Sequence, residues 1–218
     1  MVKTVIFDMD GVIVDTEPVH YYAYHKHFEH LNIEVTDEMY GTFTGFSTKN
    51  TYQKLKELFD IPHEVDALIN SKREIFNNAF DEKADLELLP GVRDLIVDLY
   101  ENGIQLVLAS SASRVTIARV FNRFKLNEYF SHITSGEEFP QSKPHPAIFL
   151  KAAELAKTPV NECIVIEDSV NGIKAAKAAG IFCVGYTSEN SILQEISIAD
   201  MIISNFSELN AAIIRSLV

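Results

Sequence analysis

Short apolar, β-branched runs that alternate with helical stretches constrain the fold of this chain more than any other feature. Thr4–Phe7, 105–109, 163–166, 181–185 and 201–203 are such runs, and Ile133-Thr134 reads as a further short strand. They lack the in-out alternation of a half-solvated strand, so both faces of the sheet must be covered, as in a parallel sheet between helices. The intervening helices are expected at 92–101, stopped by Asn102-Gly103, and at 113–124, 146–156, 170–179 and 207–216. Residues 16–86 break the alternation. Glu17-Pro18 opens a helix that continues to Leu31, Thr36-Asp37-Glu38 caps another, and Ser47 or Thr48 caps a third that runs to about Phe59. Pro62 begins a fourth, ending near Ala79. The expected organisation is an α/β core, residues 1–15 and 87–218, with an all-helical insert, 16–86.

The formal net charge is −12, which repels nucleic acid and anionic membrane surfaces. Any site for an anion must therefore be locally positive, through a cation, a lysine or backbone N–H groups. Cys163 and Cys183 lie in apolar runs and read as buried strand thiols rather than a disulfide framework. Met1-Val2-Lys3 leads straight into a strand, with no leader pattern, and no apolar run is long enough to cross a bilayer. A cytoplasmic monomer without nucleic-acid or membrane partners is expected.

Open parallel sheets bind ligands beyond the carboxyl ends of their strands. Here those ends carry Asp8 and Asp10, then Ser110 and Ser111, then Glu167 and Asp168, with Lys143 in a loop before a helix. Each has a plain structural alternative. Asp8 and Asp10 can serve a turn before Gly11, the serines and Glu167-Asp168-Ser169 can cap helices, and Lys143 can be a solvated loop residue. Together they are harder to dismiss, because carboxylates gathered at buried strand ends repel one another and call for a cation. Mg²⁺ suits that need: it takes hard oxygen ligands and keeps waters that a phosphate can displace. Such parts suit phosphoryl transfer. A carboxylate can attack phosphorus and split one hard step into two, a second acid can protonate the leaving oxygen and then activate water, and Ser110 and Lys143 can hold phosphoryl oxygens. In an extended segment Asp8 and Asp10 point the same way.

Taken together these residues resemble the haloacid dehalogenase superfamily. Asp8-Met9-Asp10-Gly11-Val12, Leu108-Ala109-Ser110, Lys143-Pro144 and Glu167-Asp168 match its four motifs in order, and the resemblance covers nearly the whole chain. It implies a Rossmann-like core with a helical cap, a small phosphorylated metabolite as substrate, Asp8 as nucleophile and Asp10 as general acid and base. It further implies Mg²⁺ held by Asp8, the Asp10 backbone carbonyl and Asp168, with Glu167 close by, and phosphate held by Ser110, Ser111 and Lys143.

Within the superfamily the stretches Phe7–Pro18, Ser111–Ser113, Lys143–Pro146 and Glu167–Gly172 are similar to the β-phosphoglucomutase-like branch. His20 falls where those mutases carry a histidine in the hinge helix. The mutases follow a Gly-Val-Ser stretch with an arginine for the second phosphate. Here Gly45-Phe46-Ser47 is followed by Thr48 and Lys49, with Lys72-Arg73 as another loose substitute. That departure favours a phosphatase over a mutase that interconverts β-glucose 1-phosphate and glucose 6-phosphate. His20, Phe46, Thr48 and Lys49 are the candidate cap contacts with substrate. The cap aromatics Tyr21, Tyr22, Tyr24, Phe28, Tyr40, Phe43 and Phe46 are expected mostly in its core, with Phe46 in the loop also able to face substrate, and His25, His27 and His30 on the surface of the first cap helix.

Overall fold

In the computed structural model, which describes residues 1–43, 47–187 and 196–218, the chain leaves β1 (Thr4–Phe7) for four helices before it returns to the sheet. These are α1 (Glu17–Leu31), α2 (Asp37–Gly41), α3 (Thr48–Leu58) and α4 (Val65–Glu82). It then passes through α5 (Val92–Glu101), β2 (Gln105–Ser110), α6 (Arg114–Phe124), β3 (Phe130–Ser135), α7 (Ala147–Ala156), β4 (Cys163–Glu167), α8 (Val170–Ala178), β5 (Phe182–Tyr186), β6 (Met201–Ile203) and α9 (Ala211–Ser216). Two compact units result: residues 1–15 with 87–218, and residues 16–86.

Among the described residues the sheet has six strands, all parallel, in the order β3-β2-β1-β4-β5-β6. The chain builds outward from β1 through β2 to β3, then crosses back to lay β4 on the other side of β1. This α/β, Rossmann-like arrangement puts its topological switch point at β1, where ligands bind in such sheets. Register then sets the site. Phe7 pairs with Leu108 on one side and with Ile166 on the other. The residues that follow these three in register, Asp8, Ala109 and Glu167, therefore share one height.

Both faces of the sheet are buried. Ile6, Val107, Ala109, Val165 and Cys183 pack against Ile148, Phe149, Ala152 and Ile173 of α7 and α8. On the other face the ring of Phe7 meets Phe130, which meets Phe121 of α6. Full burial of one such aliphatic side chain contributes roughly 1.5–3 kcal/mol, so the layer that carries Asp8 is stiff. Cys163 and Cys183 are free and buried. No helix is long and apolar enough to cross a membrane, among the described residues.

Several boundaries differ from the sequence expectation. The predicted helix 207–216 is a 3-10 turn, Phe206–Glu208, followed by α9, because Asn205 caps the turn and Asn210 separately caps the helix. Helix α4 begins at Val65 rather than Pro62, since Glu64 is still extended. Strand β3 is longer than Ile133-Thr134.

Within the helical unit Tyr24, Phe28, Val35, Phe43, Tyr52, Leu55, Ile61 and Leu68 form one core. Two expectations fail here. Tyr21 and Tyr22 are exposed: Tyr21 stacks on His25 and donates its hydroxyl to Asp37, which suits a solvated face. His27 is not on the surface. It is buried, its Nδ1 2.5 Å from the equally buried Tyr52 hydroxyl. Burial, aided by His30, His63 and Lys72, lowers its pKa to about 4. A histidine depressed in the fold opposes proton uptake, so its contribution to stability is complete above the unfolded value near 6.5 and is lost as pH falls from there toward 4.

Across that window the helical unit is expected to lose up to about 1.4 kcal/mol per pH unit. Amide hydrogen exchange of residues 16–86 at neutral and mildly acidic pH measures it. The double variant His27→Phe with Tyr52→Phe should remove the share of the dependence that His27 contributes.

Candidate active site

Asp8 follows β1 directly, and its N–H continues the sheet by donating to the Ile166 carbonyl at 3.0 Å. The backbone then bends sharply. The N–H groups of Val12, Ile13 and Val14 all point at the Met9 carbonyl, at 3.3, 2.8 and 3.2 Å. The chain therefore turns at Met9, where the extended segment expected from the sequence is broken. Gly11 takes φ +83, a left-handed conformation that glycine adopts without strain. A Cβ at Gly11 would lie 2.0 Å from Asp168 Oδ2. Glycine is thus required twice, for the bend and for the closeness of the Asp168 carboxyl.

Lys143 reaches in from the loop before α7, across a cis peptide to Pro144. Its ammonium donates to Asp8 Oδ1 at 2.6 Å, to Glu167 Oε1 at 2.7 Å and to the Ala109 carbonyl at 3.1 Å. All three donors of the lysine are used, each on a residue at the level set by the strand register. Asp8 and Lys143 are buried, and Glu167 is 1% exposed. The alternative of a solvated loop lysine is excluded by this geometry.

Glu167 stands apart from the expected ligand set. Its Oε2 accepts from the Ser169 N–H at 2.7 Å and the Ser169 hydroxyl at 2.9 Å, while Oε1 holds Lys143. Both oxygens are engaged, and its carboxyl presses on Gly172, where a Cβ would fall 1.7 Å from Oε1. The geometry therefore gives it the lysine and the start of α8 as partners. Ser169 caps that helix by accepting from the Gly172 N–H at 3.0 Å.

The charge balance is negative. Asp8, Asp10, Glu167 and Asp168 face one lysine. Burial raises the Asp8 pKa to about 7 against the pull of Lys143, with Glu167 and Asp10 pushing the same way as burial. Burial, then the charges of Glu167 and Asp8, raise Asp168 well above the ordinary carboxylate range. Lys143 loses by burial but gains more from Asp8 and Glu167, and stays protonated. A hard divalent cation fits a site of surplus oxygen charge. Among the described residues no three Asp, Glu, His or Cys side chains close into a metal cage. Two carboxylates with a backbone carbonyl and water suit Mg²⁺, which retains much of its hydration.

Ser110 ends β2, fully buried. Its hydroxyl oxygen accepts from the Ala112 N–H at 3.0 Å, which leaves its proton to donate. Ser111, next in the loop, is exposed.

In the helical unit, His20 is half-buried, stacked on Phe76, with Nδ1 2.6 Å from Lys72 Nζ. Burial and the lysine hold its pKa well below the usual value. Lys72, mentioned in the sequence only as a loose arginine substitute, is buried with its ammonium 4.2 Å from the Tyr24 ring centre. Spacing gave no signal for this pair, because the partners lie on α1 and α4. Thr48 is half-buried and hydrogen-bonded to Tyr24, Lys49 is exposed, and Phe46 lies outside the described residues.

The chain matches the haloacid dehalogenase-like hydrolase family over residues 5–186 and belongs to it. It is 32% identical over 182 residues to the phosphorylated carbohydrates phosphatase of Thermotoga maritima, covering 82% of each chain. It is 28% identical over 218 residues to the beta-phosphoglucomutase of Bacillus subtilis, covering 98% of this chain and 94% of that one. Its structure resembles that of CbbY from Rhodobacter sphaeroides in complex with phosphate, with TM-score 0.88, 27% identity and 96% of both chains covered. The chain is an enzyme of this family's hydrolase or phosphomutase kind.

Gly11→Ala is expected to cost about a hundredfold in kcat/KM, since displacing Asp168 by about 1 Å mispositions the site. Gly103→Ala is the control. It has a similar strain, φ +73, but nothing within 4 Å of a new Cβ, so it should lose stability without that loss of activity.

Proposed function

We propose that this haloacid dehalogenase-like hydrolase is a Mg²⁺-dependent phosphatase of a small phosphomonoester, with a sugar phosphate the favoured class. The observation that carries the reading is the buried Lys143 ammonium shared by Asp8 and Glu167 at the switch point of the sheet. Lys143 orients the Asp8 carboxylate and favours its ionised form, which is the form that attacks. An Asp8 oxygen forms the bond to phosphorus as the ester P–O bond breaks, and Asp10 gives its proton to the departing alkoxide. Asp10, now a carboxylate, takes a proton from water. The water oxygen bonds to phosphorus, the Asp8–phosphorus bond breaks, and inorganic phosphate leaves. Ser110, Ser111 and Lys143 hold the phosphoryl oxygens that do not react. Asp8, Asp168 and the Asp10 backbone carbonyl would hold Mg²⁺, which when bound neutralises the surplus carboxylate charge and screens Asp8 from the phosphoryl group.

The helical unit is read as a cap that supplies substrate contacts, with His20, Thr48 and Lys49 as candidates. A second reading, a β-phosphoglucomutase, is supported by the near full-length match to the Bacillus subtilis enzyme. Against it stands Thr48 after Ser47, where the mutases carry arginine. A panel of phosphate esters scored for both phosphate and isomer separates the two. Phosphate release without isomerisation supports the phosphatase, and isomerisation that depends on a sugar bisphosphate overturns it.

Asp8→Asn is expected to lower kcat at least about a thousandfold, and Asp10→Asn about 10²–10⁴-fold. EDTA should abolish turnover of the wild-type protein and Mg²⁺ restore it. In the metal-free protein the proton on Asp8 competes with the cation below about pH 7. Calorimetry should therefore show Mg²⁺ affinity weakening as pH falls from about 8 to about 6, with protons released on binding.

A further inference from the structure

Two hydrogen bonds hold Ala112 from opposite sides. Its N–H donates to Ser110 Oγ at 3.0 Å, and its carbonyl accepts from the Ser135 hydroxyl at 2.6 Å. Ser135 is the last residue of β3, fully buried, and pairs in register with Ser110 at the end of β2. Its Oγ also accepts from the Glu137 N–H at 3.3 Å, so the hydroxyl is used as donor and acceptor at once. Gly136, the next residue, lies against the Ser111 backbone, where a Cβ would come within 3.0 Å of both the Ser111 Cα and its carbonyl oxygen. A further tie joins the same two segments. The Arg114 N–H, at the start of α6, donates to Glu137 Oε2 at 3.1 Å, and the Arg114 guanidinium pairs with Glu138.

We infer that Ser135, with Gly136 behind it, is a positioning residue for the phosphate loop Ser110-Ser111-Ala112. The inference rests on the reading of Ser110 as a phosphate contact. Ser135 touches no reacting atom. It fixes the Ala112 carbonyl, in the Ala112–Ser113 peptide, while Gly136 packs on the Ser111 carbonyl, in the Ser111–Ala112 peptide that carries the N–H on Ser110 Oγ; the two restraints together hold the Ala112 φ and ψ and so the direction of that N–H. That bond decides where the Ser110 proton points. A hydroxyl rotates freely unless a partner restrains it, so loss of Ser135 frees the Ser110 donor. Other hydroxyls of β3 make similar bonds without reaching this loop. Ser131 donates to the Leu106 carbonyl at 3.0 Å, and buried Thr134 donates to the Leu108 carbonyl at 2.9 Å. Thr134 therefore serves as an internal control for a role in strand packing alone.

The test uses the full chain with Mg²⁺, p-nitrophenyl phosphate as substrate and inorganic phosphate as inhibitor. Ser135→Ala is expected to raise the phosphate inhibition constant and KM about tenfold, with kcat changed much less, and Ser135→Thr to restore both. Thr134→Val should lower the melting temperature yet leave the inhibition constant within about twofold of wild type. Gly136→Ala should weaken phosphate binding in the same direction as Ser135→Ala, by pushing on Ser111. The double variant Ser110→Ala with Ser135→Ala should bind phosphate no worse than Ser110→Ala alone, because the two act through one contact. Additive losses in the double variant, or an unchanged inhibition constant in Ser135→Ala while Ser110→Ala is impaired, overturn the positioning role and leave the phosphate loop intact. An unchanged inhibition constant in Ser110→Ala overturns both.

Discussion

The ammonium of Lys143 is the interaction on which the rest of the core depends. It lies between Asp8 and Glu167, on the Ala109 carbonyl, with almost no water to share the charge. Removing one partner from such a set leaves an uncompensated buried charge, which is why buried pairs of this kind cost several kcal/mol to break. The fold makes the arrangement available. Parallel register brings β1, β2 and β4 to one height, and the crossover from β3 to β4 opens the switch point above them.

One lysine does not balance four acids. That imbalance ties electrostatics to chemistry. Asp8 and Asp168 both sit above the usual carboxylate range because they are buried and repel their neighbours. On the proposed mechanism, such a site gains from the divalent cation and from the phosphoryl group that the cation would help to hold. The two glycines in contact with the acids, Gly11 and Gly172, show how closely the backbone was drawn in to place them. Asp168 rests on the first and Glu167 on the second, so close packing adds to the hydrogen bonds that hold Glu167 among acids that repel it.

Much of the fold was legible in the sequence because a parallel sheet covered on both faces leaves uninterrupted apolar runs, as Thr4–Phe7 and Cys163–Ile166 do. The order of charged strand ends was legible for the same reason, since topology, not local conformation, gathers them. What could not be read depends on pairs far apart in the chain. His27 looked like a surface histidine because Tyr52, its partner, is on another helix. Lys72 and His20 were likewise hidden from one another. Glu167 was expected near a metal, but its engagement by Lys143 and Ser169 follows from side-chain geometry that spacing does not encode. The bend at Met9 and the second capping residue at Asn210 are local, yet each turned on which of several compatible hydrogen bonds the backbone adopts.

The central claim is a covalent bond to Asp8, and trapping that bond tests it most directly. The protein with Mg²⁺ and a phosphate ester is quenched during turnover, reduced with borohydride and digested for mass spectrometry. An acyl phosphate at Asp8 is converted by reduction to homoserine, so the account predicts homoserine at position 8, only when Mg²⁺ and ester are both present. Turnover with Asp8 unmodified, or with the phosphoryl group recovered on another residue, would contradict it.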